Sequence, residues 1–305
     1  MLKRNLAVIL ALTLLALPLA ACQTKNKPAE SETSQSSRVQ TPASPAEPAG
    51  SDQAKGSQAK AKPEGSNPQK TSGQADILKT TLIQNKDGYL LLAGDSLYTI
   101  SCKDLKVFID GEEAQAGDLK NGMAIDLVGK SDGIMVAESY PGQPFNIDRI
   151  EAWTNKEGKS DLVGLYLKVL TDLWQKDPAL HSDIKYVSLD LNQAPGLSDG
   201  EKEALQYVFQ GWLGDQKDLP DDLICLDYSY EDLVKEGFIE KQAKEWKDGV
   251  LLSLEAGEAQ AGDDLKFSAE MWRSGLGAYC LHDCSVEWGP DGYWTGYQVG
   301  SEMVS

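Results

Sequence analysis

The sequence predicts a small all-β barrel followed by an α+β domain with a curved antiparallel sheet. Residues 76–153 contain short apolar runs separated by turn residues, without helical periodicity. After residue 160 the apolar spacing changes from two to about 3.6, which is typical of amphipathic helices. Residues 249–304 then return to strand-like patterns. Helices that precede an antiparallel meander favour an α+β domain whose helices cover one face of the sheet.

Seven strands are predicted in the first part, and closure into a barrel would remove their exposed edges. They span residues 77–83, 89–93, 97–100, 106–109, 123–128, 134–139 and 147–153. Asp-Gly pairs at 87–88, 110–111 and 132–133 favour tight hairpins. The stretches 106–111 and 137–141 resemble small secreted OB-like β-domains of Gram-positive bacteria, and this resemblance implies no activity.

The second part is predicted to contain three helices and several strands. A helix over 162–174 has so broad an apolar face that it must be covered on more than one side, with Ser160 as its cap. Ser198 and Ser229 have the capping spacing that begins a second and a third helix. A strand or an extended segment is predicted at 184–191, and strands are predicted at 249–255, 265–273, 275–288 and 293–304. This element order resembles NTF2-like or cystatin-like proteins, which often hold a pocket between helix and sheet.

The N-terminus carries the pattern of an export signal. Lys3 and Arg4 precede the apolar residues 6–17, a run too short to span a bilayer, which needs about 20 residues. The sequence Leu19-Ala20-Ala21-Cys22 that follows resembles the lipobox of bacterial lipoproteins. The resemblance implies removal of residues 1–21 and acylation of Cys22, for example with diacylglycerol and palmitate, which would hold the protein on the outer face of the cell membrane. The alternative is a plain secreted protein in which this cysteine occurs by chance.

Composition divides the remaining chain. Residues 23–75 are mostly Ser, Ala, Pro, Gln, Lys and Gly, so they predict a disordered tether after the lipidated Cys22. The polar stretch 154–160 predicts a boundary between a β-barrel domain, 76–153, and an α+β domain, 154–305. The expected order is therefore signal peptide, lipidated tether, barrel and α+β domain.

The charge distribution excludes some partners. The whole chain has a net charge of -18, and both the signal peptide and the tether carry +2, which leaves -22 on residues 76–305. Such a surface repels phosphate backbones and anionic lipid headgroups. We therefore expect no nucleic-acid partner, and we expect membrane contact only through the lipid on Cys22.

The densest group of chemically capable residues lies at 272–284. On a regular strand Cys280, His282 and Cys284 would face the same way, but positions four apart are about 13 Å apart, too far to share one ion or a disulfide without a bulge. Three interpretations stay open: packed apolar thiols, a disulfide from Cys225 to one of them, or a metal site. The first is favoured, and no metal or cofactor is expected.

The tryptophans of the second part offer a possible ligand platform. If Trp272, Trp288 and Trp294 share one sheet face they can line a pocket, although such rings more often fill a core. The candidate ligand-binding residues are Trp272, Arg273, Tyr279, His282 and Trp294. No catalytic residue is assigned, because the chain has only two histidines and its many acids have no diagnostic spacing.

These observations predict a lipid-anchored envelope protein that acts as a non-catalytic ligand-binding or protein-interaction module. Its expected partners are an envelope protein or a small-molecule ligand. The alternatives are an envelope hydrolase that uses carboxylates or the Cys280/His282 region, and a structural spacer. A closed cavity with convergent polar groups and a buried ionisable residue would favour the hydrolase, whereas packed cores with only shallow surface grooves would favour the module. The spacer would be favoured if neither domain had a pocket.

Overall fold

The part of the chain that the structure describes is mostly β, with two seven-stranded sheets and three α-helices. The computed structural model describes residues 75–86, 88–101, 103–130, 140–154, 160–240, 242, 244–257 and 265–305. The predicted signal peptide, Cys22, residues 23–74 of the tether, Cys102 and the predicted strand 134–139 lie outside the described residues. Within the described part, none of the helices is long and apolar enough to cross a membrane.

The first sheet is built from seven short strands, and the order across it is β3-β2-β1-β6-β7-β4-β5. The strands are β1 Asp76–Asn85, β2 Tyr89–Ala93, β3 Ser96–Ile100, β4 Lys106–Ile109, β5 Glu112–Ala114, β6 Ala124–Lys130 and β7 Asn146–Trp153. All neighbours are antiparallel except β4 and β7, which run parallel. The predicted hairpin at Asp110-Gly111 is confirmed, because both residues have positive φ and join β4 to β5.

The predicted closed barrel is wrong. Among the described residues, the sheet ends at β3 on one side and β5 on the other, and these two strands do not pair with each other. The physical reason lies in β2, where four successive residues, Tyr89–Leu92, are buried. Tyr89 and Leu91 pack in the core of the first sheet, whereas Leu90 and Leu92 pack on the opposite face against the helices. The face of this sheet opposite its own core is thus partly buried by the helices. A free-standing barrel would expose that face to solvent.

The second sheet has the order β13-β12-β11-β10-β8-β9, with β14 also paired to β12. Its strands are β8 Tyr186–Asp190, β9 Ile224–Leu226, β10 Gly249–Ala256, β11 Lys266–Ser274, β12 Gly277–Trp288, β13 Trp294–Gln298 and β14 Ser301–Val304. The prediction of an α+β domain with a curved antiparallel sheet is wrong, because β8 runs parallel to both β10 and β9. The chain reaches parallel neighbours through helical crossovers, which strand spacing alone does not reveal.

The helices α1 Leu162–Lys176, α2 Asp199–Gly214 and α3 Tyr230–Lys235 begin close to their predicted starts. The capping boxes at Ser198 and Ser229 are confirmed. The predicted cap at Ser160 is wrong, because the next residue, Asp161, caps α1 and accepts a hydrogen bond from the Gly164 N–H at 3.0 Å. Helix α1 is buried on more than one side, as its broad apolar face predicts, and it packs in one core with side chains from both sheets.

The other face of the second sheet carries a smaller core. Leu233 from α3 packs there with Ile239, Trp246 and Leu251, and several aromatic rings surround them. The second sheet is therefore covered on both faces near β8 and β10. This arrangement separates the aromatic residues of the second part into two groups that cannot share one pocket.

Candidate functional site

Arg273, one of the predicted ligand-binding residues, is a structural clamp. Its guanidinium donates hydrogen bonds to three backbone carbonyls, those of Leu180 at 3.2 Å, Ser182 at 2.8 Å and Lys247 at 2.7 Å. Leu180 and Ser182 lie in the segment before β8, and Lys247 lies just before β10, the strand that pairs with β8. The planar fork of arginine suits such a set of fixed acceptors better than a lysine would.

We expect Arg273→Met to lower the free energy of unfolding by about 2 kcal/mol, because it removes charge-assisted hydrogen bonds and leaves carbonyls without their donor. Urea unfolding followed by circular dichroism measures this loss. Arg149→Met is the matched control, since Arg149 makes a partly exposed ion pair with Glu151 at 2.7 Å and should cost less than about 1 kcal/mol. Equal losses in the two variants would contradict the clamp.

Trp272 and Trp294 contact different cores. Trp272 lies in the smaller core and meets the Tyr230 ring edge to face, with centroids 5.2 Å apart. Trp294 packs against the larger core, and its indole N–H donates to the Asp161 carboxylate at 3.1 Å. The two rings therefore do not form a common platform.

The cysteine and histidine group is divided by a β-bulge at His282 and Asp283, where Asp283 has φ 53°. Cys280 pairs with Glu270 and its Sγ lies 3.4 Å from that carboxylate, whereas Cys284 packs in the larger core opposite Phe267. Burial, reinforced by nearby carboxylates, raises the pKa of Cys280 to about 12 and that of Cys284 to about 11. Both thiols are therefore protonated at neutral pH and are poor nucleophiles.

Cys225, Cys280 and Cys284 are all free, so the disulfide interpretation does not apply among them. In the described part of the chain no group of three or more His, Cys, Asp or Glu side chains is placed to hold a metal ion. The other histidine, His181, stacks on Trp174 with centroids 4.1 Å apart and contacts its carbonyl at 2.9 Å through Nε2. Packed thiols are the interpretation that this geometry favours.

Among the described carboxyl groups, Asp161 has the most strongly shifted pKa. Burial raises its pKa to about 6, although hydrogen bonds from Trp294 and Gly164 act in the opposite direction. A raised pKa can mark a catalytic acid, but structural networks produce the same shift. Both oxygens of Asp161 already accept N–H donors at the start of α1, so its geometry is that of a helix cap.

A groove of about 530 Å³ lies between α1 and β13, and we call it the α1–β13 groove. It is lined by Lys168, Asp172, Gln175, Lys176, Trp294, Thr295, Gly296, Tyr297 and Val299. The Lys168 ammonium contacts Asp172 at 2.6 Å, and the Tyr297 hydroxyl donates to the same carboxylate at 2.9 Å. Most of its strong polar groups are thus engaged with one another.

At the end of this groove a second carboxylate contacts a lysine and a tyrosine in the same way. Lys176 contacts Glu302 at 2.7 Å, and the hydroxyl of Tyr279, another predicted ligand-binding residue, donates to Glu302. Each carboxylate therefore accepts from one lysine and one tyrosine. These contacts join α1 to β12, β13 and β14 and leave few polar groups for a ligand, so we interpret the groove mainly as a brace.

A second cleft lies where the first sheet meets α2. It consists of two adjoining cavities of about 470 and 320 Å³, which share Gln84, Lys86 and Tyr207, and we call it the Tyr207 cleft. The larger cavity is also lined by Leu167, Val208, Gln210, Gly211, Trp212 and Asp215. The smaller is also lined by Gly88, Tyr89, Leu90, Thr99, Ile100, Ser101 and Gln143. Cavities of this size are in the range of small-ligand sites.

The uncharged polar side chains of the Tyr207 cleft are available to hydrogen-bond to a ligand. Among the described residues, the side-chain amides of Gln84, Gln143 and Gln210 and the hydroxyl of Tyr207 have no hydrogen-bond partner. The charged pair at the rim, Lys86 and Asp215, is 3.0 Å apart, with both side chains more than 60% exposed. The cleft thus presents uncharged donors and acceptors that a ligand can use.

Aromatic packing holds the walls of this cleft. The Tyr207 ring meets the Tyr140 ring edge to face at 5.9 Å, and the Tyr140 hydroxyl donates to Glu203 at 2.8 Å. Trp212 stacks on Phe209 with centroids 5.7 Å apart and planes 17° apart. The two aromatic walls therefore come from one helix and are positioned before any ligand arrives.

Comparison of the chain with protein-family models, curated proteins and solved structures finds no match. Function is therefore inferred from the residues and their geometry. The resemblances to the lipobox, to OB-like domains and to NTF2-like or cystatin-like element order stay predictions.

The residues of the Tyr207 cleft were not among the predicted site residues. Gln84, Gln143 and Tyr207 are far apart in the sequence and belong to types that are common on any surface. One local sign was present in α2, where Tyr207, Gln210 and Trp212 place aromatic and amide side chains beside the buried stripe. That sign acquires meaning only when the first sheet is known to pack against the helix.

Proposed function

We propose that the protein is a lipid-anchored binding module of the cell envelope that recognises its ligand in the Tyr207 cleft without transforming it. The observation that carries this proposal is the set of unpaired amide and hydroxyl groups around Tyr207. A cavity with convergent polar groups and pre-positioned aromatic walls is the usual form of a ligand site. The spacer would instead be favoured by the absence of any pocket.

The hydrolase alternative has weaker support. The Cys280 and Cys284 thiols are held protonated by burial, and neither lies in the Tyr207 cleft. The perturbed carboxylate Asp161 is engaged as a helix cap. Covalent catalysis needs a nucleophile with an adjacent base in the same cleft. The protonated thiols and the engaged Asp161 carboxylate do not meet this requirement, so they favour binding over covalent chemistry.

The anchoring part of the proposal rests on Leu19-Ala20-Ala21-Cys22. We expect Cys22→Ala to shift the protein from the membrane fraction to the soluble fraction, because acyl chains would be its main hold on the bilayer. Fractionation and intact-mass analysis of the native protein measure this. An unmodified Cys22 in membrane-bound wild-type protein would contradict the lipid anchor and leave the cleft proposal unaffected.

Recognition is tested by affinity capture from solubilised envelopes, with proteins and glycans both identified. We expect Tyr207→Ala to remove the wild-type binding partner, because it deletes a wall shared by both cavities. Gln175→Leu in the α1–β13 groove is the control, since Gln175 is exposed and lies in the other cavity. Capture that survives Tyr207→Ala but fails with Gln175→Leu would move the site to the α1–β13 groove. Capture unchanged in both would place recognition outside these two cavities and contradict the Tyr207 cleft, whereas absence of any partner of the wild-type protein would favour the spacer.

A further inference from the structure

We infer that the ligand of the Tyr207 cleft is an uncharged glycan segment, recognised by amide side chains and aromatic rings. This inference rests on the proposed function, because it names the chemical class of ligand for the same cleft. It is carried by the kinds of polar group in the cleft, by the pairing of its two charged side chains with each other, and by the covered edge of β3.

The hydrogen-bonding groups of the cleft match a polyol. Each of Gln84, Gln143 and Gln210 offers two donors and an acceptor on one amide, and Tyr207 adds a hydroxyl. A sugar hydroxyl is likewise both donor and acceptor, so an amide can bind neighbouring hydroxyls in either direction. A site that hydrogen-bonds hydroxyls strongly rejects analogues that lack them.

Charge favours a neutral ligand. Lys86 and Asp215 neutralise each other at the rim of the cleft. Residues 76–305 carry the strongly acidic balance of the chain, whose total charge is -18, so anionic polymers are repelled. A cationic ligand would need a carboxylate that is still available in the cleft, and Asp215 is already paired.

The edge of the first sheet next to the cleft is closed to an extended peptide. In β3 the Thr99 N–H donates to the Gly142 carbonyl at 2.9 Å, and the Gly142 N–H donates to the Leu97 carbonyl at 2.9 Å. Strand addition needs such main-chain groups to be open. The segment around Gly142 occupies them, so a ligand must be held through side chains, which suits a glycan better than an extended peptide.

The aromatic walls supply the apolar part of the binding surface. Tyr207 and Trp212 lie on the same helix, and both line the larger cavity. Aromatic rings combine a large apolar face with a polar group at the edge, so they can pack against the C–H groups of a sugar ring while their polar atoms bind its hydroxyls. The two adjoining cavities suit a ligand of more than one ring.

The test uses the full-length lipoprotein in detergent micelles and saturation-transfer NMR or calorimetry. The probes are tetra-N-acetylchitotetraose and maltotetraose as neutral glycans, tetragalacturonate as an anionic glycan, and N-acetyl-tetra-alanine amide as a neutral peptide. We expect at least one neutral tetrasaccharide to bind, and we expect Gln143→Leu combined with Gln210→Leu to weaken it at least tenfold. Both positions are exposed, so these changes should leave folding intact.

Two further variants sharpen this test. Tyr207→Phe should weaken binding severalfold through loss of one hydroxyl. Gln175→Leu makes the same glutamine-to-leucine change in the α1–β13 groove and should leave binding unchanged. Binding of the peptide or the anionic glycan in preference to both neutral probes would overturn the inference. So would failure of both neutral probes to bind while a protein partner is still captured through Tyr207, a result that would leave the proposed binding module in place. Loss of the proposed function itself would instead appear as capture that no cleft variant affects.

Discussion

Gly200→Ala should destabilise the protein by about 3 kcal/mol, because helix α2 begins directly against the turn between β2 and β3. A Cβ atom at position 200 would lie 2.4 Å from the Gly94 carbonyl oxygen and 3.2 Å from the Asp95 Cα. Both atoms belong to the backbone, so neither can rotate away. The helix or the turn must move to relieve the contact, and the shared core between them opens.

Gly211→Ala is the matched control on the same helix. A Cβ at position 211 meets no atom within 4 Å, and alanine stabilises a helix interior by up to about 1 kcal/mol relative to glycine. The two variants should therefore change stability in opposite directions in urea unfolding. If both stabilise the protein, the close approach of α2 to the first sheet does not exist in solution.

This close approach also bears on the Tyr207 cleft. Tyr207, Gln210 and Trp212 are carried by α2, whereas Gln84 and Gln143 come from the first sheet and a neighbouring loop. A shift at the beginning of α2 would separate the two walls. We therefore expect any Gly200→Ala protein that still folds to bind the ligand of the cleft more weakly than the wild type does.

The local features of the fold could be predicted because their causes are local. The Ser198 and Ser229 capping boxes depend on residues three positions apart, and the Asp110-Gly111 turn depends on two adjacent residues. The cap of α1 was missed because Asp161 has φ 64°, a conformation that its neighbours in sequence do not announce. Caps that depend on side-chain spacing could thus be predicted from short stretches of sequence, whereas a cap that depends on an unusual backbone conformation could not.

The arrangement of the sheets could not be predicted because its causes are distant. The run Tyr89–Leu92 is apolar at every position, which is the mark of a strand buried on both faces, but a closed barrel buries only one. That run was the available sign that the first sheet must meet another layer. Its partner, the helix pair, lies more than 70 residues further along the chain.

The contacts made by the candidate site residues could not be predicted, for a related reason. The stretch 272–284 concentrates reactive residue types, yet packing uses Arg273 as a clamp and buries Cys284 in the core. Residue type reports what a side chain can do and not which of its atoms remain available. In the Tyr207 cleft ordinary residues become candidates because their polar atoms remain unpaired.

The stability of the protein should also depend on Asp161 in a specific pH range. Burial raises the folded-state pKa of this carboxyl to about 6 from the ordinary value of 3.8. The folded protein therefore holds a proton that the unfolded chain releases between about pH 4 and 6. Because the unfolded chain binds fewer protons in that range, the free energy of unfolding falls as pH rises, by roughly 3 kcal/mol for this group.

Asp161→Asn separates this contribution from other titrating groups. Asparagine tolerates the positive φ at this position and does not titrate, although it loses one of the two acceptor contacts with Gly164 and Trp294. The free energy of unfolding of both proteins is measured from pH 3.5 to 7.5, and the variant's value is subtracted from that of the wild type. The subtraction cancels the contributions of titrating groups that both proteins share, including Asp126, whose pKa is also raised by burial. The difference should fall between pH 4 and 6 and be level on either side. A difference that rises with pH would mean that hydrogen bonding to the charged carboxylate outweighs its burial, and the start of α1 would then be stabilised by an ionised cap.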